Sequence, residues 1–155
     1  MLYACHSKVK RFCRQLSILP DYLEKHGYTQ AVLNDVEQIL SYFNRAAPLH
    51  HDDEESDFFP QLNKVAPQTQ TSIDELEKQH EYLHENWNAL SVQLEELISE
   101  QRQNIDKHLI ERFIQGYDRH IALEEPLFEM GRECLSADIL TEMGKHMSAR
   151  RQVKE

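Results

Sequence analysis

The sequence predicts an all-α chain folded as an up-down antiparallel four-helix bundle, with room for a short extra helix at the C-terminal end. Three observations carry that expectation. Apolar residues recur three and four apart along long stretches, no alternating strand pattern occurs, and the 155 residues include only 4 Gly and 5 Pro. Spacing by threes and fours places side chains on one helix face, and long helices joined by short connections pack as antiparallel neighbours. A chain of this length suffices for one self-supporting core, so residues 1–155 are read as a single domain.

Taken in order, a first helix is expected from Leu2 to Leu19, with Pro20 kinking or breaking it before Asp21 to His26. HGYT reads as a turn, and a second helix follows from Gln30 to Leu62, kinked at Pro48. NKVAPQTQTS is the clearest loop; Ser72 and Glu75 then form a capping-box signature for a third helix running to Arg102. A fourth is expected from Asn104 to Met130, which closes a core of about residues 2–130, and the terminal helix from Ala137 to Val153.

Composition narrows the function classes. Hydrophobic residues at 40% and charged residues at 28% are ordinary for a soluble protein. No apolar run approaches the roughly 20 residues that span a bilayer. The opening MLYACHSKVKRF lacks the apolar stretch of a secretory signal. A cytoplasmic address without membrane association is therefore expected. A formal charge of −10 with no basic stripe argues against nucleic acid as a partner. Cys5, Cys13 and Cys134 are odd in number and unpaired in pattern, so they read as reduced thiols, with Cys5 and Cys13 packed in the core.

The informative feature is what interrupts the apolar faces. The first helix presents Leu2, His6, Val9, Cys13 and Leu16; the second presents Val36, Leu40, Phe43, Ala47, His50, Glu54 and Phe58. The third presents Ile73, Leu76, His80, Leu83, His84 and Trp87, and the fourth Ile110, Phe113, Tyr117, His120, Glu124 and Phe128. A lone core histidine is usually a structural residue bonded to a neighbour. Two core carboxylates are harder to accommodate, because an unpaired buried Glu costs several kcal/mol or becomes neutral. Five histidines and two glutamates from four helices make a poor core unless cations sit among them. His50/Glu54, His80/His84 and His120/Glu124 are i, i+4 pairs, one turn apart on one side.

Seven protein ligands exceed what one zinc ion takes. With both carboxylates bridging and an oxide or hydroxide between the metals, the donors fill all but about one of roughly twelve octahedral positions. Imidazole and carboxylate suit iron, with zinc or manganese as substitutes. Two iron ions with an oxo or hydroxo bridge are the expected cofactor.

CHSKVKRF, AAPLHHDDEESDFFP, HEYLHENW and HIALEEPLF, in that order from His6 to Phe128, resemble the hemerythrin-like, HHE cation-binding domains. The resemblance implies His6, His50, Glu54, His80, His84, His120 and Glu124 as ligands. It also implies dioxygen or another diatomic molecule as partner, since the family is similar to the oxygen-carrying hemerythrins with their non-haem di-iron centre. His50 and His51 are adjacent, as are Glu54 and Glu55, and Glu124 and Glu125. Helical register selects His50, Glu54 and Glu124, whereas the oxygen carriers place their last carboxylate five residues after its histidine, which selects Glu125. Many relatives have no histidine at the place of His84.

Other constellations carry less. His80-Glu81-Tyr82-Leu83-His84 spells the H-E-x-x-H of zinc peptidases, but no sheet or third ligand accompanies it. Ferritin-type sites want Glu-x-x-His, a spacing absent from these stripes. His26, His108 and His146 fall off the inward faces and read as solvated, as do Asp52 and Asp53. Trp87 and Tyr117 read as core residues near the site, with the Tyr117 hydroxyl a candidate donor to an iron-bound ligand. The functions expected are a carrier or sensor of a small molecule, more than a turnover enzyme, then a di-iron stress or iron–sulfur repair protein and iron donor, then a metal-free interaction module. An exposed face on the terminal helix leaves a homodimer open.

Overall fold

The computed structural model describes residues 2–154, with side chains for residues 2–152. Every regular element in this stretch is helical. Helix α1 (Leu2–His26) continues through Pro20, so of the kink or break expected there the break does not occur. Leu16, Leu19 and Leu23 are buried on both sides of the proline, and that packing outweighs the roughly 3 kcal/mol an interior proline costs.

The second helical run is built from three α-helices, α2 (Gln30–Ser41), α3 (Ala47–Asp53) and α4 (Phe59–Val65), joined by two π turns, Tyr42–Ala46 and Glu54–Phe58. Thr29 caps its start by accepting from the Val32 amide at 3.3 Å. The kink expected at Pro48 is realised as the first π turn, and Pro60 follows the second in the same way. Proline donates no amide hydrogen and crowds the carbonyl four residues back. A wide turn relieves this: the Ala47 amide bonds the Tyr42 carbonyl, and the Phe59 amide bonds that of Glu54.

A 3-10 turn (Pro67–Thr69) leads into α5 (Gln70–Ile98), so Ser72 lies inside the helix and the expected capping box does not form. Thr69 precedes the helix, but its hydroxyl donates to the Ala66 carbonyl at 2.7 Å. α5 stops short of Arg102, and α6 (Lys107–Cys134) starts three residues later than expected, where Asp106 accepts from the His108 amide at 2.9 Å. It continues past Met130 to Cys134. α7 (Ala137–Lys154) follows.

α1 and α6 run in opposite directions, since Lys107 meets Asp21 at one end while His6 meets Glu124 at the other. The second run and α5 are opposed likewise, with Trp87 donating to Asn44 and His80 facing Glu55. The apolar core divides into two clusters. One gathers Phe12, Leu16, Val36, Phe43, Trp87, Leu90 and Phe113. The other gathers Phe58, Phe59, Leu62, Leu76, Leu127, Phe128, Met143 and Met147. Between them lies a polar layer of buried histidine and glutamate. No helix among the described residues is long and apolar enough to cross a membrane.

Candidate metal centre

The polar layer is supplied by every long run. His6 comes from α1, His50 and His51 from α3, Glu54 from the second π turn, His80 from α5, and His120 and Glu124 from α6. All seven side chains are buried, and Glu54 and Glu124 are fully so. Six of them are residues the sequence placed on inward faces. His84, the seventh of that set, is solvent-exposed on α5, and its Nε2 lies 3.3 Å from His51 Nδ1. An i+4 step from His80 overshoots the narrow buried stripe of α5, which continues instead through Leu83 and Trp87.

The two carboxylates each face both ways. Glu124 Oε1 lies 2.8 Å from His6 Nε2 and 3.9 Å from His50 Nε2, while its Oε2 lies 3.3 Å from His120 Nε2. Glu54 Oε1 lies 2.7 Å from His50 Nε2, and its Oε2 lies 3.9 Å from His80 Nε2. Donor atoms of Glu54, His80, His120 and Glu124 fall within 4.8 Å of one another, as do those of His6, His50 and Glu124, and those of His51, His80 and His120. Glu125, the alternative last carboxylate, is part-exposed and reaches His6 Nδ1 only at 3.7 Å.

Orphaned atoms test whether these residues fit a metal. Both oxygens of Glu54, His80 Nε2, His120 Nε2 and Glu124 Oε2 are buried without an aligned hydrogen-bond partner. His50 Nε2 and Glu54 Oε1 approach to 2.7 Å, an ion pair whose donor atoms a cation would take over. Each such group left dry costs about 1–3 kcal/mol. Five of them together weigh heavily against the whole stability of a domain, about 5–15 kcal/mol. The donor set fits two cations sharing two carboxylates.

Three of the four rings with shifted protonation are neutral imidazoles, the state a metal ligand needs. Burial, followed by His50 and Lys10, pushes His6 down to about 3, so its contact with Glu124 is a neutral imidazole N–H donating to a carboxylate. Burial, then His80, His6 and His50, pushes His120 down to about 2. Burial and four neighbouring imidazoles hold His51 well below 6.5. His50 goes the other way: burial opposes its charge, but the Glu54 carboxylate and the Cys5 sulfur together prevail and raise it to about 10.

Outer groups orient the rings. His80 Nδ1 meets Glu55 Oε1 at 2.7 Å, and His120 Nδ1 meets Gln79 Oε1 at 3.0 Å. An open groove of about 800 Å³ reaches the His51, His80 and His84 side of the layer, and Asp52, Glu55, Asp74, Glu77 and Glu81 also line it. Asp53, expected to be solvated, is fully buried because α7 folds over it: Arg150 and Arg151 reach it at 2.9 and 2.8 Å. Cys13 is buried, which pushes its thiol up to about 12, whereas Cys5 is only half-buried. The rings of Tyr117 and His120 are 6.5 Å apart.

A helical core in which buried imidazoles and carboxylates converge with unpartnered donor atoms defines a cation-binding bundle. Residues 1–130 match the hemerythrin HHE cation binding domain, and the chain belongs to that family. It is also 98% identical over 155 residues, all of this chain and 90% of the relative, to a protein of Haemophilus influenzae (strain ATCC 51907 / DSM 11121 / KW20 / Rd) described as an uncharacterized protein. The family match ends within α6, so α7 lies beyond it.

Proposed function

We propose that the protein is a non-haem di-iron protein that binds a diatomic molecule such as dioxygen or nitric oxide, as a carrier or sensor. One observation carries the reading: Glu54 and Glu124 each direct their two oxygens towards histidines on opposite sides of one buried layer. His6 and His50 would hold one ion, His80 and His120 the other, with both carboxylates shared. The opposed runs described above support an up-down antiparallel arrangement of four helical runs around this layer, with α7 added outside.

Iron bound there would supply reversible, redox-coupled binding of the small molecule. The chain's own contribution is positional. Neutral His120 presents a lone pair, His6 would carry its proton on Nδ1 so that Nε2 meets the ion, Glu55 and Gln79 fix the rings of His80 and His120, and the flanking apolar clusters exclude water. The groove reaches His51 and His80 and would give a small molecule its approach.

The test is metal analysis of purified protein with an optical spectrum recorded before and after deoxygenation. Two irons per chain and a visible band that reverses on reoxygenation are expected. Protein that takes up no iron, or zinc alone after exposure to both, overturns the reading. The acidic groove favours a second reading, that of an iron donor in stress repair, because carboxylates at a site mouth attract and pass cations. Transfer of iron to an acceptor protein, with loss of colour and no reversible oxygen response, would establish that alternative.

A further inference from the structure

The geometry points to His51 as a seventh protein ligand, on the same ion as His80 and His120, with His84 acting as its outer partner. This assignment rests on the di-iron reading.

The carrying observation is a shared pattern. His80 gives Nδ1 to Glu55 at 2.7 Å, His120 gives Nδ1 to Gln79 at 3.0 Å, and His51 gives Nδ1 to His84 at 3.3 Å. Metal-binding histidines engage an outer group with one ring nitrogen, which fixes the tautomer and leaves the other nitrogen for the ion. His51 therefore has the outer contact of a ligand, and Nε2 is the nitrogen left to it. It is also placed as one. Its ring is 95% buried and stacks on His80 with centroids 3.9 Å apart at 16°. A donor atom of each of His51, His80 and His120 lies within 4.8 Å of the others.

A purely structural histidine would satisfy its polar atoms within the core. His51 instead bonds an exposed imidazole on the groove wall, and a donor atom of its ring lies within 4.8 Å of donor atoms of His80 and His120, each of which keeps an unpartnered Nε2. The local backbone explains how neighbouring residues share one site. His50 and His51 are about 100° apart on a helix. His50 meets Glu54 while His51 meets α5, so the two address different ions from adjacent positions.

The test compares the wild type with His51→Gln, His51→Ala and His84→Gln after loading with ferrous iron. Iron content, iron affinity and the number of imidazole nitrogens seen by iron-edge X-ray absorption are read for each. His51→Gln keeps most of the volume and a side-chain amide towards His84, so it separates coordination from packing should His51→Ala fold poorly. In His51→Gln one iron is expected to bind about 10–100-fold more weakly, with the imidazole count lowered by one per pair of irons. His84→Gln is expected to keep that count and lose affinity to a smaller degree. Two tightly held irons and an unchanged imidazole count in His51→Gln would overturn the assignment while leaving the di-iron reading intact. A lower imidazole count in His84→Gln than in His51→Gln would overturn it as well. Failure of the wild type to bind any iron would remove both.

Discussion

At the scale of single residues, Glu124 and Glu125 differ in surroundings more than in chemistry. Glu124 is wholly buried among His6, His50 and His120, whereas Glu125 is part-exposed beside Lys10. Glu124→Gln and Glu54→Gln are therefore expected to lose most bound metal, while Glu125→Gln retains it; elemental analysis of the three decides. Acid should act through the histidines. His6 and His120 are held down to about 3 and about 2, and His51 well below 6.5. Below pH 6.5 the unfolded chain takes up protons at these rings and the folded chain does not, so the metal-free protein loses stability as pH falls from about 7 towards 3. Each such ring contributes up to about 1.4 kcal/mol per pH unit in that window. His50, raised to about 10, is protonated in the folded chain throughout and opposes the loss between about pH 7 and 5.5, where its unfolded ring is still taking up a proton; below that it adds no slope. Urea midpoints of the apo protein between pH 7 and 4 that stay constant would contradict this account.

At the scale of elements, α7 is joined to the second run by charge and by close contact. Arg150 and Arg151 both reach the buried carboxylate of Asp53, Arg150 also pairs with Asp57, and His146 lies 3.1 Å from Asp57. Either arginine can stand in for the other, so single substitutions to Ala should cost about 1 kcal/mol. Removing both leaves Asp53 buried and uncompensated, at about 3–5 kcal/mol. A chemical-denaturation cycle across the two positions measures this non-additivity, and additive losses would show that the pairs act separately. Gly131 on α6 marks the other contact. A Cβ there would meet the Phe58 ring at 2.6 Å, with Phe58 itself wedged in the second core cluster. Gly131→Ala is expected to destabilise by about 1–3 kcal/mol through overpacking, despite alanine's better helix propensity.

For the whole molecule, the polar layer couples metal to folding. Its orphaned atoms weaken the apo state and are satisfied only when cations bind, so binding free energy becomes folding free energy. Iron at a hundredfold above its dissociation constant would add about 2.7 kcal/mol, a rise of roughly 5–10 °C in Tm for a domain of this size. Chelation should reverse the shift and dialysis against iron restore it. A Tm indifferent to chelator would mean that the layer is satisfied without metal.

The linear chain by itself determined the helical class, because spacing by threes and fours is a property of local geometry. It also determined His6, His50, Glu54, His80, His120 and Glu124 as members of one buried layer, since each interrupts an apolar stripe at helical spacing. Tertiary packing alone decided the rest. Pro20 is carried through α1 by burial on both sides, which no local rule anticipates. Asp53 reads as solvated until α7, nearly a hundred residues later in sequence, folds over it. His84 and His51 exchanged environments for the same reason: periodicity gives the angle between side chains but not how wide a stripe the neighbours cover. On α5 that stripe is narrow and leaves His84 in solvent. On α3 it is wide, because α1 and α7 pack against the helix and the His51 ring stacks on His80 of α5, and it encloses His50 and His51 together.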